Sequence, residues 1–356
     1  MTFSKLPTMP TKRPTQADVA RVAGVSRATV SYVVNGLANG QVSISQETFQ
    51  RVQAAVLKLG YQPDARAQAL RSGGKTNTLG LLLPDLNNPF YWKIAAAVEQ
   101  EAQKAGFDLL LFSTSLSAER EAHTLNALAR RQIDGLILSL TFPDALSQTL
   151  KQLGRRLNPV VILGKQLENL DTVAVNPGYQ VYARHIMTYL FTMGHRTIGL
   201  IYGVVNPNID SGRLAAYREA LQEFGLEVDE SLIDHCGTTL QNGYQAAYRL
   251  LAHQPRPTAL VAINDLLALG ALRAIAEHDL TVPRDISIVG FDDIDMAAYL
   301  NPPLTTVHYD AEAVGQAAVR LILARLNDPE RPSEVIQLPT RLITRGSTAA
   351  APAPLC

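Results

Sequence analysis

The sequence predicts an all-α helix-turn-helix head joined to an α/β two-lobed core with doubly wound parallel sheets. Near the N-terminus, two short helices are joined by a tight turn, and after residue 76 two series of strand-length apolar runs alternate with helical stretches. The chain has 356 residues, of which 47% are hydrophobic, so it can bury the cores of two or three domains.

The first two helices are predicted between Thr15 and Asn35. Thr15 followed three residues later by Asp18 is typical of a capping box, in which each side chain satisfies a backbone N–H of the first turn. Gly24 ends the first helix, and Ser26 is placed to cap the second. The residues expected to form a small shared core are Val19, Ala20, Ala23, Val25, Val30, Val33 and Val34.

The second helix has one face turned away from this core. That face consists of Arg27, Ala28, Ser31 and Tyr32, at positions i, i+1, i+4 and i+5. A helix-turn-helix places such a face in the major groove, where base edges differ in their hydrogen-bonding pattern. The pattern therefore favours a DNA reader, and the alternative is a helical hairpin with a solvated side.

Charge is divided unevenly along the chain, although the formal net charge is zero. Up to Lys75 there are ten basic residues and three acidic ones, whereas the remainder holds 22 basic and 29 acidic residues. A basic segment attached to an acidic body is typical of a nucleic-acid-binding module joined to a domain with another role.

Motifs of other functional classes are absent from the sequence. Cys236 and Cys356 follow no metal-ligand spacing, and there is no catalytic cluster, nucleophile elbow or glycine-rich dinucleotide fingerprint. No run approaches the roughly 20 apolar residues that span a bilayer, and the N-terminus lacks the apolar region of a signal peptide. We therefore expect a cytoplasmic protein that is not an enzyme and has no metal, cofactor or membrane partner.

A third helix and a short segment complete the head. Ser45 caps a predicted helix of about 14 residues, whose apolar positions repeat at helical spacing. These positions are Val52, Ala55, Val56 and Leu59. Residues 65–71 follow as a seven-residue segment that is too short to hold a helix alone in water. This segment therefore needs partners in order to fold, unless it is a plain linker.

The predicted domain order follows from these patterns. Residues 1–14 carry three prolines and are expected to be a disordered lead-in. They are followed by the head at 15–60, a hinge helix and linker at 61–75, a core at 76–348 and a disordered tail at 349–356. Within the core, lobe 1 is expected at about 76–175 and 308–335, and lobe 2 at about 176–307 and 336–346.

Strand-length apolar runs define the two sheets of the core. The first series is 78–83, 107–112, 134–138 and 160–163, and the second is 197–202, 232–233, 259–263 and 286–290. Runs that are apolar throughout indicate strands covered on both faces, and hence parallel sheets. Two such lobes imply a cleft, in which ligands bind beyond the carboxyl ends of the strands.

Several motifs carry a specific family resemblance. In the head they are Asp18-Val19-Ala20, Ala23-Gly24-Val25-Ser26, Thr29-Val30-Ser31 and Asn35-Gly36, and in the core they include Asn88-Pro89-Phe90, Asn264-Asp265 and residues 289–293. With these motifs the chain resembles the lactose-repressor/galactose-repressor (LacI/GalR) family over residues 15 to 347. The resemblance implies a core like that of periplasmic sugar-binding proteins and a hinge helix that orders on operator DNA.

The resemblance also implies a set of DNA contacts. Leu70 takes the position of a leucine that wedges between base pairs in the minor groove, and Gln68 replaces the commoner arginine. The residues expected to contact DNA are Thr15, Gln16, Ser26, Arg27, Ala28, Thr29, Ser31, Tyr32 and Asn35 in the head and Ala67, Gln68 and Leu70 in the hinge helix.

An effector site in the cleft is implied in the same way. Phe90 and Tyr91 are expected to supply shape, Arg213 and Asn264 polar recognition, and Asp292 contact with hydroxyl groups. The full expected set is Asn88, Phe90, Tyr91, Arg213, Asn264, Asp265 and Asp292. Two alternatives stay open, since Asp292-Asp293 also fits a capped helix start and Arg213 also fits an ion pair with the helix that follows.

We therefore expect a homodimeric transcriptional repressor of carbohydrate uptake or catabolism genes. It is expected to bind a near-palindromic operator in double-stranded DNA under the control of a small sugar-like effector in the cleft. The first alternative is a purine- or nucleoside-responsive corepressor-type regulator of the same family. A solute-binding transport protein and an enzyme of the doubly wound class are more distant alternatives, and the basic head opposes the former.

Overall fold

The structure is a computed structural model that describes residues 14–34, 44–62, 76–128, 130–131, 133–141, 159–164, 173–176, 179–203 and 213–352. The chain divides into two units, Met1–Thr76 and Asn77–Cys356. Some predictions concern residues outside the described ranges. They are those for the lead-in 1–13, for Asn35, and for the hinge helix with Ala67, Gln68 and Leu70.

Within its described residues, the first unit contains three helices: α1 (Gln16–Ala23), α2 (Arg27–Val34) and α3 (Gln46–Leu59). The predicted capping box of Thr15 and Asp18 is present, and Gly24 ends α1 at a φ of 64°. Only glycine adopts this left-handed conformation at little cost, so Gly24 allows the chain to turn sharply between the helices. The Thr29 N–H donates to the Ser26 hydroxyl at 3.1 Å, so Ser26 caps α2 as predicted.

The head core is built from one face of each helix. Its buried members are Val19, Ala20, Ala23, Val30, Val33, Val52, Ala55 and Tyr61. The half-buried residues that pack against it are Val25, Val34, Ile44, Phe49, Val56 and Leu59. The predicted core is therefore confirmed, and the two half-buried valines of the helix pair lie at its rim.

Arg51 of α3 fastens the turn between the first two helices. Its guanidinium donates to the carbonyl oxygens of Ala23 at 2.8 Å and Gly24 at 3.1 Å. These oxygens lie at the C-terminal end of α1, where intrahelical donors run out and the helix dipole favours a positive charge. The third helix therefore holds the turn that sets the direction of α2.

The first half of the second unit alternates between strands and helices. The elements are β1 (Thr78–Leu83), α4 (Pro89–Lys104), β2 (Asp108–Ser113), α5 (Ala118–Leu128), β3 (Gly135–Leu138), β4 (Val160–Leu163) and β5 (Val173–Asn176). The strands are parallel in the order β5-β4-β3-β1-β2, and this sheet is the centre of lobe 1. The order reverses beside β1, which is where ligands bind in doubly wound sheets.

Lobe 1 covers both faces of its sheet, as the continuous apolar runs predict. Leu79, Leu81 and Leu83 of β1 belong to one buried cluster, whereas Leu82 belongs to another together with Leu125 of α5. Successive side chains of a strand point to opposite faces, so a strand between two apolar clusters needs apolar residues at every position.

The second series of elements forms lobe 2. The elements are α6 (Tyr179–Thr192), β6 (Ile198–Tyr202), α7 (Arg213–Glu223), β7 (Ile233–His235), α8 (Leu240–Leu251), β8 (Ala259–Ala262), α9 (Asp265–Glu277) and β9 (Ser287–Val289). The four strands are parallel in the order β7-β6-β8-β9, and this order reverses at β6. The prediction of two doubly wound lobes is therefore confirmed.

Two further strands carry the chain between the lobes. The last elements are β10 (Thr306–Tyr309), α10 (Ala311–Asn327), β11 (Val335–Gln337) and β12 (Thr340–Ile343). β10 leads from lobe 2 to α10, which packs against α4 of lobe 1, and β11 joins the lobe 1 sheet beside β5. β12 pairs antiparallel with β10 and returns the chain to lobe 2. A third link runs from β5 to α6.

The short strand β11 extends two residues past the approximate lobe boundary expected at 335. Ile336 and Gln337 were expected in lobe 2, but they pair with Val175 and Asn176 in the lobe 1 sheet. The strand is short and half-exposed, so it lacks the apolar run that identified the other strands.

The prediction of a disordered tail at residues 349–356 is wrong for residues 349–352, which are held by main-chain hydrogen bonds. The Ala349 N–H donates to the Ser287 hydroxyl at 3.1 Å, and its carbonyl oxygen lies 3.0 Å from Nε2 of His195. The Ala351 N–H donates to the carbonyl oxygen of Met193 at 2.8 Å. These contacts involve the backbone of small residues, so the side-chain pattern of the sequence does not indicate them.

His195 is the buried anchor of this tail. Burial lowers the pKa of its imidazole, which favours the neutral form. Its Nε2 donates to the Ala349 carbonyl oxygen, which can only accept, and its Nδ1 lies 2.9 Å from the Thr258 hydroxyl. Without the tail, a buried N–H would lose its acceptor.

Deletion of residues 349–356 is expected to destabilise the second unit by about 1–3 kcal/mol, because it leaves the buried Nε2–H of His195 without its acceptor. The measurement is the urea or thermal unfolding midpoint of the full chain and of the truncated chain. Deletion of residues 353–356 alone is the control and should leave the midpoint unchanged. Equal midpoints for the full chain and the longer deletion would contradict the role assigned to the tail.

Candidate DNA-reading face and effector cleft

The outward face of α2 is arranged as the spacing predicts. Arg27 and Ala28 are exposed, and Ser31 and Tyr32 are half-buried. Val30 lies fully buried in the head core on the opposite side. A guanidinium, a methyl group, a hydroxyl and a phenol on one exposed helix face are groups that can contact base edges and phosphates.

The other described head residues predicted to contact DNA lie at helix starts. The Thr15 hydroxyl donates to the Asp18 carboxylate at 2.8 Å and accepts from the Asp18 N–H, and this bonding lowers the pKa of Asp18. The Ser26 and Thr29 hydroxyls lie 2.9 Å apart, and Gln16 is half-buried in the first turn. Backbone N–H groups at helix starts attract phosphate, so these side chains stand where a DNA backbone would approach.

In lobe 1, the residues predicted for the cleft lie just beyond the carboxyl end of β1. Asn88 caps α4, and its Oδ1 accepts from the Phe90 N–H at 3.0 Å. The buried ring of Phe90 lies 5.3 Å from that of Tyr91 and 5.4 Å from that of Tyr309. Phe90 is therefore fixed by aromatic packing at the reversal point of the sheet, with half-buried Tyr91 beside it.

In lobe 2, two predicted polar residues stand at helix starts beyond the carboxyl ends of strands. Arg213 is the first residue of α7, and its guanidinium carbon lies 4.4 Å from the centroid of the Phe291 ring. This contact holds the planar guanidinium against an apolar surface. Asn264 caps α9 by accepting from the Leu267 N–H at 2.8 Å, and its Nδ2 donates to the carbonyl oxygen of Thr238 at 3.5 Å.

Asp292 joins the two lobes. Its Oδ2 accepts from Nδ2 of Asn88 at 3.1 Å, across 204 positions of sequence. Only 7% of Asp292 is exposed, and this burial raises the pKa of its carboxyl to about 7, against the opposing effects of Arg213 and the Asn88 hydrogen bond. The structure therefore brings Asn88, Arg213 and Asp292 together around one carboxyl group.

The segment that carries Asp292 has an unusual backbone. Asp292 and Asp293 have φ values of 113° and 52°. A residue with a Cβ in such a conformation costs about 1–3 kcal/mol, so neighbouring contacts must hold the segment in place. One of these contacts is the hydrogen bond from the Asp292 N–H to the Val307 carbonyl oxygen at 3.0 Å.

The alternative interpretation of Asp292-Asp293 as a capped helix start is wrong. The 3-10 helix that follows, Asp295–Tyr299, begins after Ile294 and has no side-chain cap. The two aspartates precede that helix and use their carboxylates elsewhere, Asp292 toward Asn88 and Asp293 toward the strands that join the lobes.

Asp265 was predicted to contact the effector, and the structure places its side chain in the core, where its carboxylate binds protein groups. The residue is fully buried, and its carboxylate accepts from the Thr306 hydroxyl at 2.6 Å and the Ile294 N–H at 2.9 Å. Burial and the nearby charge of Asp292 raise the pKa of Asp265 well above its ordinary value. A Cβ at Gly290 would lie 2.1 Å from Asp265 Oδ1, so glycine there makes room for this carboxylate.

The structure adds Lys93, His308 and Arg345, which the sequence did not single out. Asp293 binds Arg345 at 2.7 Å through Oδ1 and His308 at 2.9 Å through Oδ2. Lys93 of α4 pairs with Asp295 at 2.7 Å and therefore also reaches from lobe 1 to lobe 2. In the sequence, the Asp292-Asp293 motif pointed to Asp293. Lys93, His308 and Arg345 belong to no recognisable motif.

Among the described residues, no group of three His, Cys, Asp or Glu side chains is placed to hold a metal ion. Within the same part of the chain, no helix combines the length and the apolar character needed to cross a membrane.

Comparison with known proteins finds two matching parts in the chain. Residues 15–64 match the family described as bacterial regulatory proteins, lacI family, and residues 187–348 match a periplasmic binding protein-like domain. The ribose operon repressor of Escherichia coli (strain K12) is 31% identical over 333 residues, which cover 94% of this chain and 99% of the repressor.

Two solved structures are similar over most of the chain. A LacI family transcriptional regulator from Enterococcus faecium with bound ribose is 32% identical, with a TM-score of 0.68, and covers 77% of this chain and 99% of its own. The lac repressor dimer bound to operator and an anti-inducer is 28% identical, with a TM-score of 0.77, and covers 95% of this chain and 100% of its own.

The raised pKa of Asp292 predicts a pH-dependent stability. Between the unfolded value of 3.8 and the folded value of about 7, the folded chain holds a proton that the unfolded chain has released, so stability is lost as pH rises through this window. Asp292→Asn removes that loss. The unfolding free energy of the variant minus that of the native chain should therefore rise by about 2–3 kcal/mol from pH 5 to pH 8.

The measurement is urea unfolding of both chains at the two pH values. Asp285→Asn is the matched control, because the Arg284 hydrogen bond lowers the pKa of Asp285 to about 2 and its charge therefore does not change in this range. A difference between Asp292→Asn and the native chain that is the same at both pH values would contradict the assignment.

Proposed function

The chain belongs to the LacI family of bacterial regulatory proteins, DNA-binding transcription regulators rather than enzymes, and we propose that it represses carbohydrate uptake or catabolism genes. In this proposal a cytoplasmic homodimer binds a near-palindromic operator. A small sugar or sugar derivative bound between the two lobes controls that binding.

The observation that carries the proposal is the outward face of α2. The caps at the starts of α1 and α2 and the guanidinium of Arg51 hold the helix pair, while Arg27 and Ala28 remain exposed. A helix presented in this way enters a major groove, and a two-fold symmetric dimer reads two half-sites of a near-palindrome. The excess of basic residues up to Lys75 supports attraction to the phosphate backbone.

The effector class follows from the groups around the cleft. Asp292 offers a carboxylate to hydroxyl donors, and Arg213 and Asn88 offer N–H donors to hydroxyl acceptors. The rings of Phe90 and Tyr91, whose planes are inclined at 68°, give an apolar wall. This combination suits a polyhydroxylated ring, and the similarity to a ribose operon repressor supports a sugar.

Two surface features support a homodimer. On lobe 2, Leu240 and Tyr248 of α8 and Met296 and Tyr299 of the 3-10 helix expose 46–89% of their surface. On lobe 1, β2 is the edge strand of its sheet and contains neither Lys nor Pro, the residues that usually protect an edge. Surfaces of this kind are typical of contacts with another chain.

The proposed relay runs from the cleft to the head through residues 61–75. In the proposal, Leu70 wedges into the minor groove beside Ala67 and Gln68, and the seven-residue hinge helix orders only when it pairs with its dimer mate on DNA. An effector that favours one arrangement of the lobes then changes the cost of ordering the hinge. Binding at the two sites is coupled, and the coupling acts equally in both directions.

Substitution of Arg27 tests the DNA-reading assignment. With a fluorescent duplex taken from the promoter next to the protein's own gene, Arg27→Ala should weaken binding by about 10–100-fold, because one base-edge contact is lost. Affinity for an unrelated duplex should fall much less. Arg320→Ala, an exposed arginine of α10 in lobe 1, is the control and should bind normally. Equal losses on both duplexes, or no binding of any duplex at low salt, would contradict the proposal.

A ligand panel tests the effector assignment. Thermal unfolding in the presence of D-ribose, other pentoses and hexoses, cellobiose and purine nucleosides should reveal at least one compound that raises the midpoint. A ligand at about 100 times its Kd adds about 2.7 kcal/mol to the stability of the folded chain. Asp292→Ala should abolish this shift. A variant that still shows the full shift would remove Asp292 from the site, and a shift with nucleosides alone would favour the purine-responsive alternative.

A further inference from the structure

We propose that Asp293 is a positioning residue that holds the effector-contacting Asp292 in place and transmits the contact between the lobes to the strands that join them. The inference rests on the proposed function, because it takes Asp292 as part of the effector site. Asp293 has a separate role, since both oxygens of its carboxylate already bind protein side chains.

Lobe 1 contacts the segment 292–295 at two points. Nδ2 of Asn88 donates to the Asp292 carboxylate at 3.1 Å, and the ammonium of Lys93 donates to the Asp293 carbonyl oxygen at 3.4 Å and pairs with Asp295 at 2.7 Å. Asn88 and Lys93 lie five positions apart at the start of α4. A movement of lobe 1 relative to lobe 2 therefore changes the contacts of this segment.

The Asp293 carboxylate connects the same segment to both strands that join the lobes. Its Oδ2 lies 2.9 Å from Nδ1 of His308 in β10, and its Oδ1 accepts from Arg345 at 2.7 Å, two residues beyond the end of β12. β10 and β12 are themselves paired, with Val307 opposite Leu342. One side chain thus bridges the segment that meets lobe 1 and the pair of strands that must bend when the lobes move.

Arg345 holds the Asp293 carboxylate in a fixed position relative to the strands that join the lobes. Its second guanidinium nitrogen donates to the Leu304 carbonyl oxygen at 2.8 Å, and its backbone N–H donates to the Thr305 hydroxyl at 2.9 Å. The side chains of Asp293 and Arg345 are only 15% and 19% exposed, so water screens their attraction much less than that of a surface pair. A displacement of Asp293 therefore pulls on residues 304–309.

The backbone conformation explains why the segment 292–295 can change when lobe 1 moves. Asp292 and Asp293 both hold left-handed conformations that residues with a Cβ rarely adopt. These conformations persist because the side-chain and main-chain contacts of the two residues hold them. If either the lobe 1 contact or the Asp293 contacts are removed, the segment can relax to ordinary backbone geometry.

Amide hydrogen exchange of the ligand-free full chain tests the transmission without any effector or DNA. Three variants are compared with the native chain by mass spectrometry: Asn88→Ala, Asp293→Asn and the double variant. Asn88→Ala breaks the lobe 1 contact with Asp292, leaving that of Lys93, and should raise exchange in residues 304–309 by about 3–10-fold. In the Asp293→Asn background the same substitution should add no further increase, because the connection is already lost.

Asp234→Asn is the matched control. Like Asp293, Asp234 uses both carboxylate oxygens, but it binds only Arg249 with them. Its side chain is 12% exposed, and it lies within lobe 2 on β7. The effect of Asn88→Ala should persist in this background. If Asp293→Asn does not fold, as judged by circular dichroism, Arg345→Lys replaces it and should also remove the Asn88→Ala effect, since lysine cannot bind Asp293 and Leu304 in the same way.

The inference is overturned if Asn88→Ala leaves exchange in residues 304–309 unchanged, or raises it equally with and without Asp293. It is also overturned if Asp234→Asn abolishes the effect as Asp293→Asn does, because the loss is then a general consequence of destabilising lobe 2. Failure here leaves the proposed function standing, since operator binding and the effector panel are measured separately.

Discussion

The hydrogen bond between Asn88 and Asp292 is the contact on which the arrangement of the cleft depends. It joins the start of α4 in lobe 1 to a buried carboxyl group in lobe 2, and burial raises the pKa of that carboxyl to about 7. A ligand hydroxyl that binds Asp292 must replace or share this bond. Because the net gain from one such exchange is small, we propose that the effector acts by favouring one lobe arrangement over another rather than by binding strength alone.

Most of the fold follows from the sequence because the strands are covered on both faces. Apart from Thr78, β1 is apolar, and β6 and β8 of lobe 2 are apolar throughout; such runs admit few other interpretations. β11 and β12 lack this signal, because they are short and half-exposed and connect the lobes rather than fill a core. The ordered residues 349–352 bind through backbone groups alone, which leave no pattern in the sequence.

The candidate site could be predicted only in part. Asn88, Arg213, Asn264 and Asp292 lie beyond the carboxyl ends of strands, as the topology requires. Asp265 adjoins Asn264 in the motif, and the first turn of α9 directs its carboxylate into the core toward Thr306 and Ile294, which the motif does not indicate. The partners of Asp293 stand 15 and 52 positions away, on strands whose pairing no local pattern predicts.

We propose that effector binding in the cleft and operator binding by the head are thermodynamically coupled. Titration calorimetry of a bound sugar, with D-ribose as the probe, in the presence and absence of saturating operator duplex tests it most directly. We expect the operator duplex to change the sugar Kd by about 5–150-fold, and the sugar to change the operator Kd by the same factor. Identical sugar affinities with and without operator would contradict the claim.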